Sequence, residues 1–291
     1  MKSKVYFTKV ITPESLIRLY DALGVKLEGR VGVKIHSGET GNQNFLRPAL
    51  LGPVINHVGQ AIVECNTAYA GTRDTTKAHW ETMKAHGWTD AAPVDILDED
   101  GDMELPVAGG KHLKVNYVGS HLKNYDSLFI LSHFKGHPMG GFGGALKNMS
   151  IGLASSKGKQ HIHVGGTGAE GFNALMTADH DAFLEAMADA DKAVMDYYGG
   201  KLAFMNVMAN LSVDCDCCDV AADPEMGDVG ALASLDPVAL DQACLDLVYD
   251  SPDPGKKALI ERIESRNGLL TVKAAVALGL GPTEYELISI D

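Results

Sequence analysis

Residues Ser127–Asn148 read SLFILSHFKGHPMGGFGGALKN. Ser127–Ser132 is a mostly apolar run too short for a helix, the pattern of a strand buried on both faces. The residues after it cannot continue the strand. Glycine and proline interrupt the run, and His133, Lys135, His137 and Lys147 crowd into it. A buried strand that opens into a polar, glycine-rich segment places that segment at the carboxyl edge of a parallel sheet, where open α/β folds collect ligands. Similar runs lie upstream at Val31–Ile35, Ala61–Cys65 and Pro93–Leu97. Helical patterns stand between them. Thr12 is a cap with Pro13 at the first helical position, and Leu16, Leu19, Tyr20 and Leu23 share one face before Gly24. After Pro48, residues Leu50, Leu51, Val54, Ile55 and Val58 form a second face. Downstream, 179–198 is the longest helical run, closed by Gly199-Gly200, and Lys201–Val213 resumes a strand-like pattern. Asp236-Pro237 opens another helix with Leu240, Ala243, Leu247 and Val248 inward, and two shorter helices end at Gly268 and Gly279. This alternation predicts an α/β fold with a largely parallel sheet covered by helices on both faces.

The chain has 291 residues, about two domain equivalents or one large α/β domain. Apolar residues at 45% and charged residues at 22% exclude wholesale disorder. Lys and Arg number 25 against 38 Asp and Glu, a net charge of −13. Such a surface repels phosphate backbones and anionic lipid, so neither nucleic acid nor membrane is expected as a partner. No stretch approaches ~18 uninterrupted apolar residues, and the N-terminus lacks the apolar core of a secretory signal. Three of the five cysteines crowd into Cys215-Asp216-Cys217-Cys218, unlike the spread spacing of a disulfide framework. A cytoplasmic protein with reduced thiols is expected.

Four segments could carry chemistry. Lys34, His36 and Glu39 lie within a few residues of the carboxyl end of the strand Val31–Ile35, and Asn66 and Arg73 follow the strand Ala61–Cys65. Solvated loop charges and turn formers would account for these two without a ligand, although an Arg can clamp a carboxylate or phosphate. In the third segment His133 and His137 have H-x3-H spacing, but Gly136 and Pro138 put them on a loop rather than a helix. Five glycines between Gly136 and Gly144 free the backbone to form an anion-binding concavity, with Lys147 adding charge. The order of a Walker A loop is absent. In the fourth, the thiols suit zinc, iron–sulfur or copper(I), and an extended chain would face Cys215 and Cys217 to one side and Cys218 to the other. A redox dithiol is the rival reading of these cysteines. His133, His137, Cys215, Cys217 and Cys218 are therefore the candidate metal ligands. Lys34, His36, Lys135 and Lys147 are the candidate catalytic residues, and Glu39, Asn66, Arg73, Gly143, Gly144 and Asn148 the candidate ligand-binding ones. Asp98–Asp102 reads as a solvated turn, Asp236 as a helix cap, Asp241 as a surface residue and Cys244 as core.

Taken together, VKIHSGETGN, ECNTAYAGTR, HFKGHPMGGFGGALKN with the following SSKGKQHIH, DCDCC with GALASLDPVALDQACLDLV, and the closing GLGPTEYELISI resemble the DUF362 family of uncharacterised iron–sulfur centre proteins. The likeness covers roughly residues 30–165 and 203–290. It implies one α/β domain over residues 1–291, with two sub-lobes and 173–200 a helical insert. Many relatives carry a ferredoxin-like insert with C-x2-C-x2-C-x3-C runs; here no cysteine lies between His163 and Phe204. The expectation is a redox or electron-transfer protein with a metal ion or iron–sulfur cluster, working on a small anionic molecule with a redox partner protein or a second copy of itself. A metal-dependent hydrolase or lyase, or a metal or cofactor carrier, are the alternatives.

Overall fold

The computed structural model describes residues 2–169, 174 and 177–291. Its strands are β1 (Ser3–Thr8), β2 (Val31–Lys34), β3 (Ala61–Glu64), β4 (Val94–Ile96), β5 (Asp102–Pro106), β6 (Val115–Gly119), β7 (Ser127–His133), β8 (Lys135–His137), β9 (Gly141–Gly143), β10 (Leu202–Met208), β11 (Gly230–Ser234) and β12 (Tyr285–Ser289). Its helices are α1 (Pro13–Asp21), α2 (Pro48–Val58), α3 (Thr76–Ala85), α4 (Trp88–Ala91), α5 (Ala145–Leu153), α6 (Ser156–His163), α7 (His180–Tyr198), α8 (Pro237–Asp250), α9 (Lys256–Ser265) and α10 (Leu269–Ala277).

Eight strands form the main sheet in the order β12-β1-β11-β10-β7-β2-β3-β4. Only β11 runs against the rest, so the sheet is mostly parallel. All seven residues of β7 are buried, as a strand covered on both faces requires. Leu128 and Ile130 join the core cluster with residues of α5 to α8, whereas Phe129 and Leu131 join the one with α1 and α2. Local signals set the helix ends. Thr12 caps α1 in a capping box, Asp179 caps α7, Asp236 caps α8, and Gly199 closes α7 in the left-handed conformation at φ +56°.

The strand order fixes where a site can form. From β2 the chain moves outward to β3 and β4; from β7 it moves the other way, to β10 and β11. The segments leaving adjacent β2 and β7 therefore diverge, and a crevice opens at the carboxyl edge between them.

Several expectations need correction. The H-x3-H pair is not on a loop: His133 ends β7, and His137 ends β8, which pairs antiparallel with β9. Asp98 is no free member of a solvated turn, because its carboxylate accepts the N–H groups of Asn66 and Ser156. Asp241 is fully buried, and accepts the N–H groups of Ala145 and Leu146 at the start of α5. The expected 173–200 insert begins outside the described residues; within them α7 packs on α5 and α10. Among the described residues no helix is long and apolar enough to cross a membrane.

Candidate metal centre and ligand cavity

The crevice is a cavity of about 260 Å³. The carboxyl ends of four neighbouring strands and the segments after them supply its walls: Lys34 at the end of β2 and His36 beyond it, Glu64 at the end of β3 with Tyr69 and Arg73 beyond it, Lys135, His137, Gly143, Gly144, Lys147 and Asn148 after β7, and Cys215 and Cys217 after β10. Lys159 and His163 of α6 complete it. Gly136 lets the cysteine segment come in. A Cβ there would lie 2.2 Å from the Val213 carbonyl oxygen, and its N–H donates to the Ser212 carbonyl at 2.8 Å.

The cysteines sit in a turn, not an extended chain. The Cys218 N–H donates to the Cys215 carbonyl at 3.0 Å, and the Cys217 N–H reaches Cys215 Sγ at 3.4 Å. Cys215 and Cys217 still share the cavity side. One donor atom each of His137, Cys215 and Cys217 lies within 4.8 Å of the others, a set that could hold a metal ion. Two sulfurs and an imidazole nitrogen suit a soft or borderline cation. Burial pushes the Cys215 thiol up to about 11. Burial, reinforced by the charge of Lys147, takes His137 down to about 4, so the ring is neutral as ligation requires. His137 Nδ1 accepts the N–H groups of Met139 and Gly140 at 3.1 and 2.8 Å, which leaves Nε2 facing Cys217 Sγ at 3.7 Å. His36 repeats the motif: Nδ1 accepts the Gly38 N–H, and Nε2 lies 4.0 Å from Cys215 Sγ. Both rings therefore carry their proton on Nε2; for His137 to ligate there as a neutral ring, that proton must move to Nδ1 and the Met139 and Gly140 N–H groups must turn from it.

His133 and Cys218 stand outside this group. His133 Nδ1 faces Asp216 at 2.9 Å and Nε2 the Ala209 carbonyl at 2.6 Å, so both nitrogens donate and neither offers a lone pair to a metal. Cys218 does not line the cavity.

Behind the cavity wall a charged frame fixes the segments. Asp216 also accepts from Lys135 Nζ at 2.9 Å. Burial raises its carboxyl, but His133 and Lys135 outweigh that and hold it well below the usual range. Lys34 Nζ lies 3.1 Å from Glu64 Oε2 and also donates to the Ile35 carbonyl. Against burial, Lys34 keeps the Glu64 carboxyl low.

Several candidate ligand-binding residues prove to be struts. Glu39 accepts from the Thr72 N–H and hydroxyl and from Arg73 Nε at 3.1 Å, and does not face the cavity. Asn66 is held by Thr76 and His79. Asn148 lines the cavity, yet its amide donates to Ser132 Oγ at 3.0 Å. Around the glycine run, four N–H groups are already engaged. The Met139 and Gly140 N–H groups are taken by His137, those of Ala145 and Leu146 by Asp241. Gly144 is required because a Cβ would lie 2.4 Å from Asp241 Oδ1. Lys147 and Arg73 do face the cavity. Sequence reasoning missed Lys159 and His163, although their four-residue spacing on a helix capped by Ser155 puts both on one face.

No curated protein matches the chain. Two similar solved structures are the lactate racemase apoprotein from Thermoanaerobacterium thermosaccharolyticum and a protein from Thermotoga maritima. The first is 12% identical with a TM-score of 0.43, and the alignment covers 100% of this chain and 83% of that one. The second is 10% identical with a TM-score of 0.41, covering 88% of this chain and 58% of that one. A family model matches residues 31–246, which run from β2 into α8 and include every residue named around the cavity. The chain belongs to this family, described as a domain of unknown function, DUF362.

Proposed function

We propose that the protein binds one thiophilic metal ion through His137, Cys215 and Cys217 and carries out redox chemistry on a small anionic molecule in the adjoining cavity. The observation that supports this is the convergence of three donors of matching softness within 4.8 Å of one another on a buried cavity wall. Three protein ligands leave a four-coordinate ion one position for substrate. The donor set fits a single ion better than a four-cysteine cluster. Cys65 donates to the Leu153 carbonyl and Cys244 is packed in the core, so neither joins the other three. A bound ion would supply Lewis-acid or electron-transfer chemistry. The chain's own part is positioning: Asp216 anchors Lys135 and the cysteine turn, Glu64 holds Lys34 at the cavity floor, and His36 offers an Nε2 proton beside Cys215.

Metal analysis and a visible spectrum of anaerobically purified protein test this reading, beside the Cys215→Ser/Cys217→Ser and His137→Ala variants. About one iron or copper per chain, with a spectrum that responds to reductant and is lost in the variants, is the expected result. About one zinc without colour would overturn the redox part and favour a hydrolase, lyase or carrier. No metal in the parent protein would overturn the metal centre and leave a dithiol.

A further inference from the structure

Five cations face the cavity: Lys34, Arg73, Lys135, Lys147 and Lys159. Three of them have a buried carboxylate at hand. Lys34 pairs with Glu64 at 3.1 Å, Arg73 with Glu39 at 3.1 Å and Lys135 with Asp216 at 2.9 Å. The other two form no ion pair among the described residues. Lys147 makes no hydrogen bond or ion pair among the described residues, and Lys159, 6% exposed, donates only to the Ala154 carbonyl. The nearby Asp98, whose charge acts on Lys159, is itself hydrogen-bonded to the N–H groups of Asn66 and Ser156 rather than to the ammonium. Arg73 meets Glu39 through Nε alone, while its Nη2 is buried without a partner. With the doubly donating His133 counted as a sixth cation and Asp98 as a fourth carboxylate beside Glu39, Glu64 and Asp216, the cavity and its immediate surround carry two positive charges more than their carboxylates balance. A bound metal does not change the count, because a divalent ion on two thiolates is as neutral as two thiols. Buried charge is costly unless a counter-charge and hydrogen bonds complete it.

We infer that the cavity seats a small dianion, a molecule carrying two negative oxyanion charges, with Arg73 Nη2 and the ammonium groups of Lys147 and Lys159 as its donors. Gly143 keeps room for it. A Cβ there would stand 3.7 Å from the Lys135 stem and 3.9 Å from the Lys147 stem, between the two side chains. A volume of about 260 Å³ limits the ligand to a small molecule. Small dicarboxylates and phosphate share the required chemistry. The inference rests on the reading above only in sharing its cavity.

Calorimetric titration of the full chain, as purified and after chelation, tests it with succinate, inorganic phosphate and acetate at pH 8 and constant ionic strength. At least one dianion should bind once per chain and at least about tenfold more tightly than acetate. Lys147→Met and Lys159→Met should each weaken that binding about tenfold. Lys159→Gln keeps an N–H donor for Ala154 and should weaken it similarly if the folded protein needs that contact. The exposed Lys111→Met should leave it unchanged. Preference for succinate assigns a dicarboxylate and preference for phosphate a phosphate group. Equal binding of acetate, no binding of either dianion, or full affinity in folded lysine variants would overturn the inference. Dianion binding by a parent protein that holds no metal as purified overturns the metal centre alone; metal retained without dianion binding overturns this seat alone.

Discussion

Asp216, set between the two candidate ligand cysteines, is turned away from the cavity. It ties three segments together: its carboxylate takes His133 and Lys135, and its backbone carbonyl accepts the Glu39 N–H at 2.8 Å. Removing its charge would leave buried cations without a counter-charge, which costs about 3–5 kcal/mol. Asp216→Asn should therefore lower unfolding free energy by about 3 kcal/mol in urea titration; a loss below about 1 kcal/mol would show that the frame does not hold the turn. His133 illustrates why the site was only partly legible. A histidine four residues from another, near a cysteine cluster, has the chemistry of a ligand, and nothing local reveals that Asp216 and the Ala209 carbonyl occupy both nitrogens.

Among the elements, α5 depends most on its neighbours. It starts at a glycine without a side-chain cap of its own. The cap comes from Asp241 of α8, which also accepts from Asn206 Nδ2 of β10 at 2.7 Å. Adjacent glycines should then respond differently to the same change. Gly144→Ala forces a Cβ to 2.4 Å from Asp241 Oδ1 and should cost about 2 kcal/mol, on the order of 5 °C in Tm. Gly143→Ala meets nothing closer than 3.7 Å and should change stability by less than about 0.5 kcal/mol. Thermal unfolding by circular dichroism checks both, and equal effects would contradict capping by Asp241. The caps of α1, α7 and α8 were readable because cap and helix are contiguous in the chain. The α5 cap was not, because 96 residues separate Asp241 from Ala145.

For the molecule as a whole, a mostly parallel sheet with both faces covered leaves titratable groups stranded in the interior. Burial holds His79 down to about 3 and His163 to about 4. Both therefore fold in the neutral form; the stability this confers is present above about pH 6.5, the unfolded value, and is lost as pH falls toward the folded values. Asp191 acts in the opposite sense, since burial raises its carboxyl well above the usual range and favours the protonated form. A difference measurement isolates the histidine. His79 is fully buried, its Nδ1–H directed at Asn66 Oδ1, so its own loss between pH 7 and 4 is about 3 kcal/mol. The unfolding free energy of the parent protein relative to His79→Gln should fall by that amount over this range, and a constant difference would contradict a neutral buried ring. The sequence by itself determined the strands β2, β3, β4 and β7, the helices α1, α2, α7 and α8, and the class of sheet, because apolar periodicity and caps are local properties of the chain. It also placed the chemistry at the carboxyl ends of those strands. Only the tertiary structure decided which residues meet there: that Cys215 and Cys217 approach His137 and His36, that Glu39 and Asn66 are struts, and that Lys147 and Lys159 form no ion pair among the described residues. Those outcomes depend on strand order and on partners tens of residues away, and neither is encoded in the spacing of any one segment.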